Sequence, residues 1–403
     1  MHLSERRPHQ DIPILFVEAR ATNPRFLRVS APMVRYSKLE FRKLVRRNGV
    51  QLAFTPMIIA ESFNNSEKAR QNEFTTSPED DQPLIAQFAA KDAQEFVTAA
   101  QLIYPYCDGI DLNCGCPQSW AISKGYGCGL LRQPELLREV VQCVRRTLPT
   151  KFSISVKMRL LSGSDEETSV RRTIDLAQQL EHCGVTFLTL HGRTQAQKHS
   201  KDTLNVNAMA EVQKSLQIPL IVNGNVESWR DACELYEQTQ AGGVMAARGL
   251  LANPALFNSK YPDEVLTPAE CMQQWLDIDS AAGKNLHFQC FHHHLTFMWS
   301  SRMKRAQRMQ FNSLSTKEEV YAFLAKHYDV TPSSSGCRPD IYSNCTYTHF
   351  IPPKHARHIA TEAAENIWNA KTDGKFFNEF KAQQLSCEKV DDLELGGLFG
   401  DLY

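Results

Sequence analysis

The run Asp111-Leu112-Asn113-Cys114-Gly115-Cys116-Pro117-Gln118 gathers more reactive side chains than any other stretch of the chain. A cysteine between glycine and proline sits on a constrained loop, presented rather than packed, where an acid or a nucleophile is useful. Cys114 and Cys128 lie close to Cys116, but their spacing departs from the Cys-x-x-Cys pairs of zinc and iron–sulfur sites, so no metal is expected. Cys107, Cys143, Cys183 and Cys233 fall on regular apolar patterns and read as small buried hydrophobes.

Other chemistry-capable residues recur at the ends of short apolar runs. Gln87, Asn113, Lys157 with Arg159, His191 with Arg193, Asn223-Gly224-Asn225 and Ala247-Arg248-Gly249 each follow or close one. One lysine at the end of Ser-Ile-Ser-Val-Lys157 is an ordinary solvated edge; six such placements in succession are not. The last two triplets carry glycine and precede helical patterns, so their backbone N–H groups can point at an anion. A cofactor with a single phosphate, such as FMN, fits that placement, with Arg248 as counter-charge.

These residues need a scaffold that brings distant loops together. Strand-like runs occur at Phe26–Ala31, Leu52–Thr55, Leu84–Phe88, Gly109–Leu112, Phe152–Lys157, Thr186–Leu190, Pro219–Val222 and Gly243–Ala246. Amphipathic helical stretches lie between them, among them Lys38–Arg47, Ala93–Ile103, Pro134–Arg146, Thr168–His182, Ala208–Ser215 and Ser228–Gln238. Strands alternating with helices pair in parallel, and eight such units predict an α/β fold, the (β/α)8 TIM barrel. A doubly wound sheet would need Gly-x-Gly-x-x-Gly after its first strand, where this chain has Ala31-Pro32-Met33-Val34. In a barrel the reactive groups belong at the C-terminal strand ends, where the polar residues fall.

Lys+Arg and Asp+Glu each number 45 among the 403 residues, so the overall charge does not announce a nucleic-acid binder, and any polyanion site must be local. The apolar run Ile12–Val17 is broken by Pro13 and lacks a secretory cleavage signal. No stretch approaches the roughly 20 apolar residues of a membrane span. Twelve cysteines in such a chain are expected as free thiols, and the expected location is intracellular, in the cytoplasm or nucleus.

Taken in order, the pieces Ala31–Val34, Phe54-Thr55-Pro56-Met57-Ile58, Ala86-Gln87-Phe88, Asp111–Gln118, Gly125-Tyr126-Gly127, Lys157-Met158-Arg159, His191-Gly192-Arg193-Thr194 and Asn223–Asn225 resemble the tRNA-dihydrouridine synthase family, in its eukaryotic Dus4-like branch. The resemblance spans about the first 330 residues. It implies an FMN-carrying barrel followed by a small helical domain that helps to hold tRNA. Carried over by position, Pro32, Met33 and Val34 lie against the isoalloxazine, while Gln87 and Lys157 bond its polar edge. His191, Asn223, Gly224, Asn225, Ala247 and Arg248 hold the ribityl phosphate region. Asn113, Arg159 and Arg193 serve the RNA substrate, and Cys116 is the general acid. The implied reaction reduces a uracil of the tRNA D-loop, at positions 20a and 20b, with NADPH or NADH as a transient reductant and no stable protein partner. Two features depart from the family: thiols at Cys114 and Cys128, and no aromatic residue in Lys201–Ala208.

The expected domains are an N-terminal extension (1–24), an FMN-binding barrel (25–260), a helical tRNA-binding domain (261–330) and a linker with tail (331–403). From Gly283 to Val330 the chain reads as helices, with Arg302, Lys304, Arg305 and Arg308 clustered at helical spacing as RNA backbone contacts. A helix near His355–Lys371 and a disordered acidic end at Asp391–Tyr403 are expected beyond it. The competing enzyme is a dihydroorotate- or old-yellow-type reductase of small molecules, which needs no basic appendage. The competing binder is a flavin-free RNA-binding barrel.

Overall fold

The computed structural model describes residues 9–262, 266–282 and 286–333, so the expectations for the tail and most of the linker lie outside the described residues. Eight strands form a closed parallel barrel: β1 (Leu27–Ser30), β2 (Leu52–Phe54), β3 (Leu84–Ala89), β4 (Gly109–Cys114), β5 (Ser153–Leu160), β6 (Phe187–Thr194), β7 (Leu220–Asn223) and β8 (Gly243–Ala246). Each anticipated run became one strand. β8 pairs back onto β1 and closes the cylinder. Continuous apolar runs suit strands covered on both faces, the condition of a parallel sheet wrapped in helices. β3 and β4 are buried at every position.

Side-chain caps start several of the covering helices. Asp92 accepts from the Glu95 N–H at 2.8 Å, Asp165 from the Thr168 N–H at 2.8 Å, and Ser228 and Asp231 form a reciprocal box. The loop after β2 holds more structure than its sequence announces: a two-residue strand, Ile58–Ile59, and two short helices, Ala60–Asn65 and Glu67–Glu73.

Register decides which polar residues become neighbours. Gln87 on β3 pairs with Asp111 on β4, and Asn113 on β4 with Lys157 on β5. Arg159 pairs with His191, and His191 with Asn223. Residues up to 136 positions apart, Gln87 and Asn223, therefore share one rim.

The helix Ile12–Arg20 closes the opposite end. Its Phe16 packs on Phe187 at the start of β6, with ring centroids 5.6 Å apart. It also lies against Gly242, where an added Cβ would meet the Phe16 ring at 3.1 Å.

Beyond the barrel run helices Ala269–Ala282, Phe288–Trp299, Arg305–Asn312 and Lys317–Tyr328. The first falls within the helical domain expected at 261–330 and docks on helix Leu39–Arg47, where Asn48 Nδ2 donates to Gln274 Oε1 at 2.7 Å. Its buried residues, Cys271, Met272, Trp275, Leu276, Ile278 and Ala282, fall on one broad face at helical spacing. His294 is fully buried, stacked 4.6 Å from Phe41 and tilted against Trp275 at 4.9 Å, and burial pushes its pKa down to about 3. His292 bonds the Phe311 carbonyl at 2.9 Å. These histidines serve packing. Lys304, Arg305 and Arg308 are exposed, while Arg302 donates to the Thr267 carbonyl at 2.9 Å. Among the described residues no helix is long and apolar enough to cross a membrane.

Candidate active site

The C-terminal strand ends enclose a cavity of about 320 Å³. Pro32, Val34, Gln87, Asn113, Cys116, Lys157, Arg159, His191, Arg193, Asn223, Gly224, Asn225, Ala247 and Arg248 all line it. Met33 does not. It alternates with its neighbours into the barrel core, fully buried, and its backbone N–H donates to Ser37 Oγ at 2.9 Å.

Cys116 stands two residues past the end of β4, half-buried against the cluster of Ala89, Ala121 and Tyr126, on which Met57 and Ile59 also pack. That apolar bed pushes the thiol pKa up, against the Gln118 N–H, Arg159 and Lys157, which favour the thiolate. The group therefore rests protonated, yet after giving up its proton it faces one N–H donor and two cationic side chains. This is the pairing that a proton donor needs. All nine described cysteines are free thiols.

The loop carrying Cys116 is tied down at several points. Asn113 Oδ1 accepts from the backbone N–H of Gly115 at 3.3 Å and of Cys116 at 3.0 Å. The Cys116 carbonyl accepts from the Cys128 N–H at 3.0 Å. Gly127, at φ +58°, leaves no room for a side chain, since an added Cβ would stand 2.8 Å from Cys116 Cβ. The Gly125-Tyr126-Gly127 motif therefore backs the thiol directly.

Arg159 and Arg193 are both 2% exposed, and their donors are directed at loop carbonyls. Arg159 bonds the carbonyls of Gly115 at 3.0 Å, Thr194 at 3.0 Å and Gln197 at 2.8 Å. Arg193 bonds those of Ser200 at 2.8 Å and Asp202 at 2.9 Å, together with Asn225 Oδ1 at 2.8 Å. Each guanidinium stitches loops of the cavity wall together. Arg193 Nη1 also meets His191 Nε2 at 3.2 Å. An arginine can only donate, so Nε2 must accept and the neutral imidazole carries its proton on Nδ1. Burial and the surrounding Arg159, Lys157, Arg193 and Arg248 hold the His191 pKa well below its usual value.

Lys157 is lowered to about 8, chiefly by burial and then by Arg159. At neutral pH it is mostly charged, and that charge fades as pH rises through 8. Met57 and the segment Lys198–Lys201 also line the cavity. Sequence reasoning did not select them as site residues. The basic pair Lys198 and Lys201 soon after His-Gly-Arg-Thr was the available signal.

A sequence model of the dihydrouridine synthase (Dus) family matches residues 29–328, most of the chain and the barrel from within β1 onward. The chain belongs to the dihydrouridine synthase family. A Mus musculus relative named as a tRNA-dihydrouridine(20a/20b) synthase-like protein is 43% identical over 303 residues, covering 75% of this chain and 89% of its own. A Schizosaccharomyces pombe tRNA-dihydrouridine(20a/20b) synthase is 41% identical over 302 residues, covering 75% and 88%. A Mus musculus relative named for positions 16/17 is 34% identical over 320 residues, covering 77% and 64%.

Proposed function

We propose that this dihydrouridine synthase reduces uridines of the tRNA D-loop, at positions 20a and 20b, with Cys116 as proton donor and FMN as the resident cofactor. The observation that carries the reading is the meeting of the protonated Cys116 thiol with Lys157, His191, Asn223 and Arg248 around one cavity. The position assignment leans on identities of 43% and 41% to relatives named for 20a/20b, against 34% to one named for 16/17.

The lining suits a flavin. Pro32, Val34 and Met57 offer an apolar wall, Gln87 and Lys157 polar groups, and His191, Asn223, Asn225 and Arg248 donors for a phosphate. Gly249 permits a close approach of loops at the phosphate end, because an added Cβ would stand 2.2 Å from the Val226 carbonyl oxygen. Gly249→Ala is therefore expected to spread those loops and weaken FMN binding at least about tenfold, read by titrating apoprotein with FMN. Unchanged affinity would remove the phosphate assignment.

When bound, a flavin supplies the hydride that carbon 6 of uracil accepts, and a nicotinamide dinucleotide restores it. Cys116 gives its proton to carbon 5, so hydride and proton together saturate the 5,6 double bond. Asn113 bonds the base, and Lys157 places positive charge where negative charge gathers on the cofactor. The base must leave its stack to reach the thiol, which costs a few kcal/mol. Contacts with RNA phosphates, from the exposed Lys304, Arg305 and Arg308 among others, offset that cost. The test is to map dihydrouridine in tRNA from cells lacking the protein and to assay the purified protein with NADPH and unmodified tRNA. Loss confined to 20a and 20b, with yellow active protein, is the expected result. Colourless protein, inactive even with added FMN, would sink the reading, and loss elsewhere only would reject the position.

A further inference from the structure

The carboxyl of Asp111 lies one layer beneath the cavity, fully buried and absent from its lining. It accepts from Ser155 Oγ at 2.6 Å and from Gln87 Nε2 at 2.7 Å. Gln87 Oε1 in turn accepts from Asn113 Nδ2 at 2.9 Å. Asn113 Oδ1 then accepts the backbone N–H groups of Gly115 and Cys116. One chain of hydrogen bonds thus runs from the barrel interior to the loop that bears the thiol.

Two of its links are primary amides, and an amide can sit either way round. A carboxylate is acceptor-only, so it admits only the amine end of Gln87. With that end fixed, the oxygen of Gln87 must face Asn113 and admits only the amine end of Asn113. The oxygen of Asn113 is then left for the two backbone donors. Reversing Gln87 would set oxygen against oxygen at Asp111 and donor against donor at Asn113, and reversing Asn113 would set donor against donor at the Cys116 loop. Burial pushes the Asp111 pKa up to about 6, while Ser155, Gln87 and Lys157 hold it from rising further, so the acceptor-only form prevails at neutral pH.

We infer that Asp111 is a positioning residue for Cys116: it sets the orientation of the Gln87 and Asn113 amides and thereby holds the Gly115–Cys116 backbone in place for proton delivery. The inference rests on the function proposed above. It adds a buried residue that touches neither substrate nor cofactor.

Asp111→Ala removes the acceptor that orients the relay. Displacement of a reacting group by as little as about 1 Å can cost on the order of a hundredfold. Reoxidation of the reduced holoenzyme by tRNA is therefore expected to slow about tenfold to a hundredfold, a larger loss than in reduction by NADPH, which feels the relay only through Gln87. Asp111→Asn, whose carbonyl can still face Gln87 Nε2 with Ser155 turned to accept, should recover most of the rate. That rescue separates orientation from charge. If Asp111→Ala does not accumulate as folded flavoprotein, Asp111→Glu keeps the carboxylate but moves it by one methylene, and the same larger loss in tRNA-dependent reoxidation is expected. A wild-type rate in Asp111→Ala or Asp111→Glu, an Asn variant as slow as Ala, or equal loss in both half-reactions would overturn the inference. Wild-type protein that forms no dihydrouridine would instead sink the parent reading.

Discussion

Cys116→Ala is expected to lower dihydrouridine formation by about 10²–10⁴-fold, the usual contribution of one positioned general acid. The flavin absorbance of the protein and its affinity for tRNA should stay close to wild type, because the loop is held by Asn113, Cys128 and Arg159 independently of the thiol. Single-turnover reoxidation with unmodified tRNA, followed at the flavin band, checks both halves of the statement. The raised thiol pKa adds a sign: activity carried by Cys116 persists through neutral pH and is not lost until the thiol itself ionises, above its ordinary range. A variant that turns over at the wild-type rate would remove Cys116 from the chemistry.

The second large effect concerns stability. Asp81→Ala is expected to destabilise the protein by about 3–5 kcal/mol, because it strands two buried guanidinium groups without their counter-ion. Asp81 is fully buried and accepts from Arg42 Nη2 at 2.6 Å, Arg46 Nε at 3.3 Å and Thr76 Oγ1 at 3.0 Å. Burial alone would raise its pKa, but Arg42 and Arg46 outweigh burial and hold the carboxyl below its ordinary value. A fall in melting temperature on the order of 10 °C, read by circular dichroism, is the matching observable. This cluster lies before β3, at the opposite end from Gln87, so residual activity per folded molecule should change far less than stability.

The barrel was legible because its signals are local. Each strand begins from a short β-branched or apolar run, and each polar residue that closes such a run became part of one rim. Cys116 was legible for the same reason, since Gly-Cys-Pro constrains a loop whatever surrounds it. What escaped depends on contacts between distant segments. Arg159 and Arg193 match family motifs, but only the path of residues 194–202 shows that their donors meet carbonyls of the cavity wall. Asp111 was visible within a motif, yet its role arises from the register that sets it beside Gln87, 24 positions earlier. Met33 shows the limit of carrying roles over a contiguous motif, because alternation turns it inward between two neighbours that face the cavity. The histidines near residue 292 are equally ambiguous in one dimension, and in three they pack against aromatic rings.

The stopper formed by residues 12–20 bears on access. A barrel of this kind is a packed core rather than a pore, and with its floor covered by Phe16 against Phe187 and Gly242, the cavity at the strand ends is reached from its own side of the molecule.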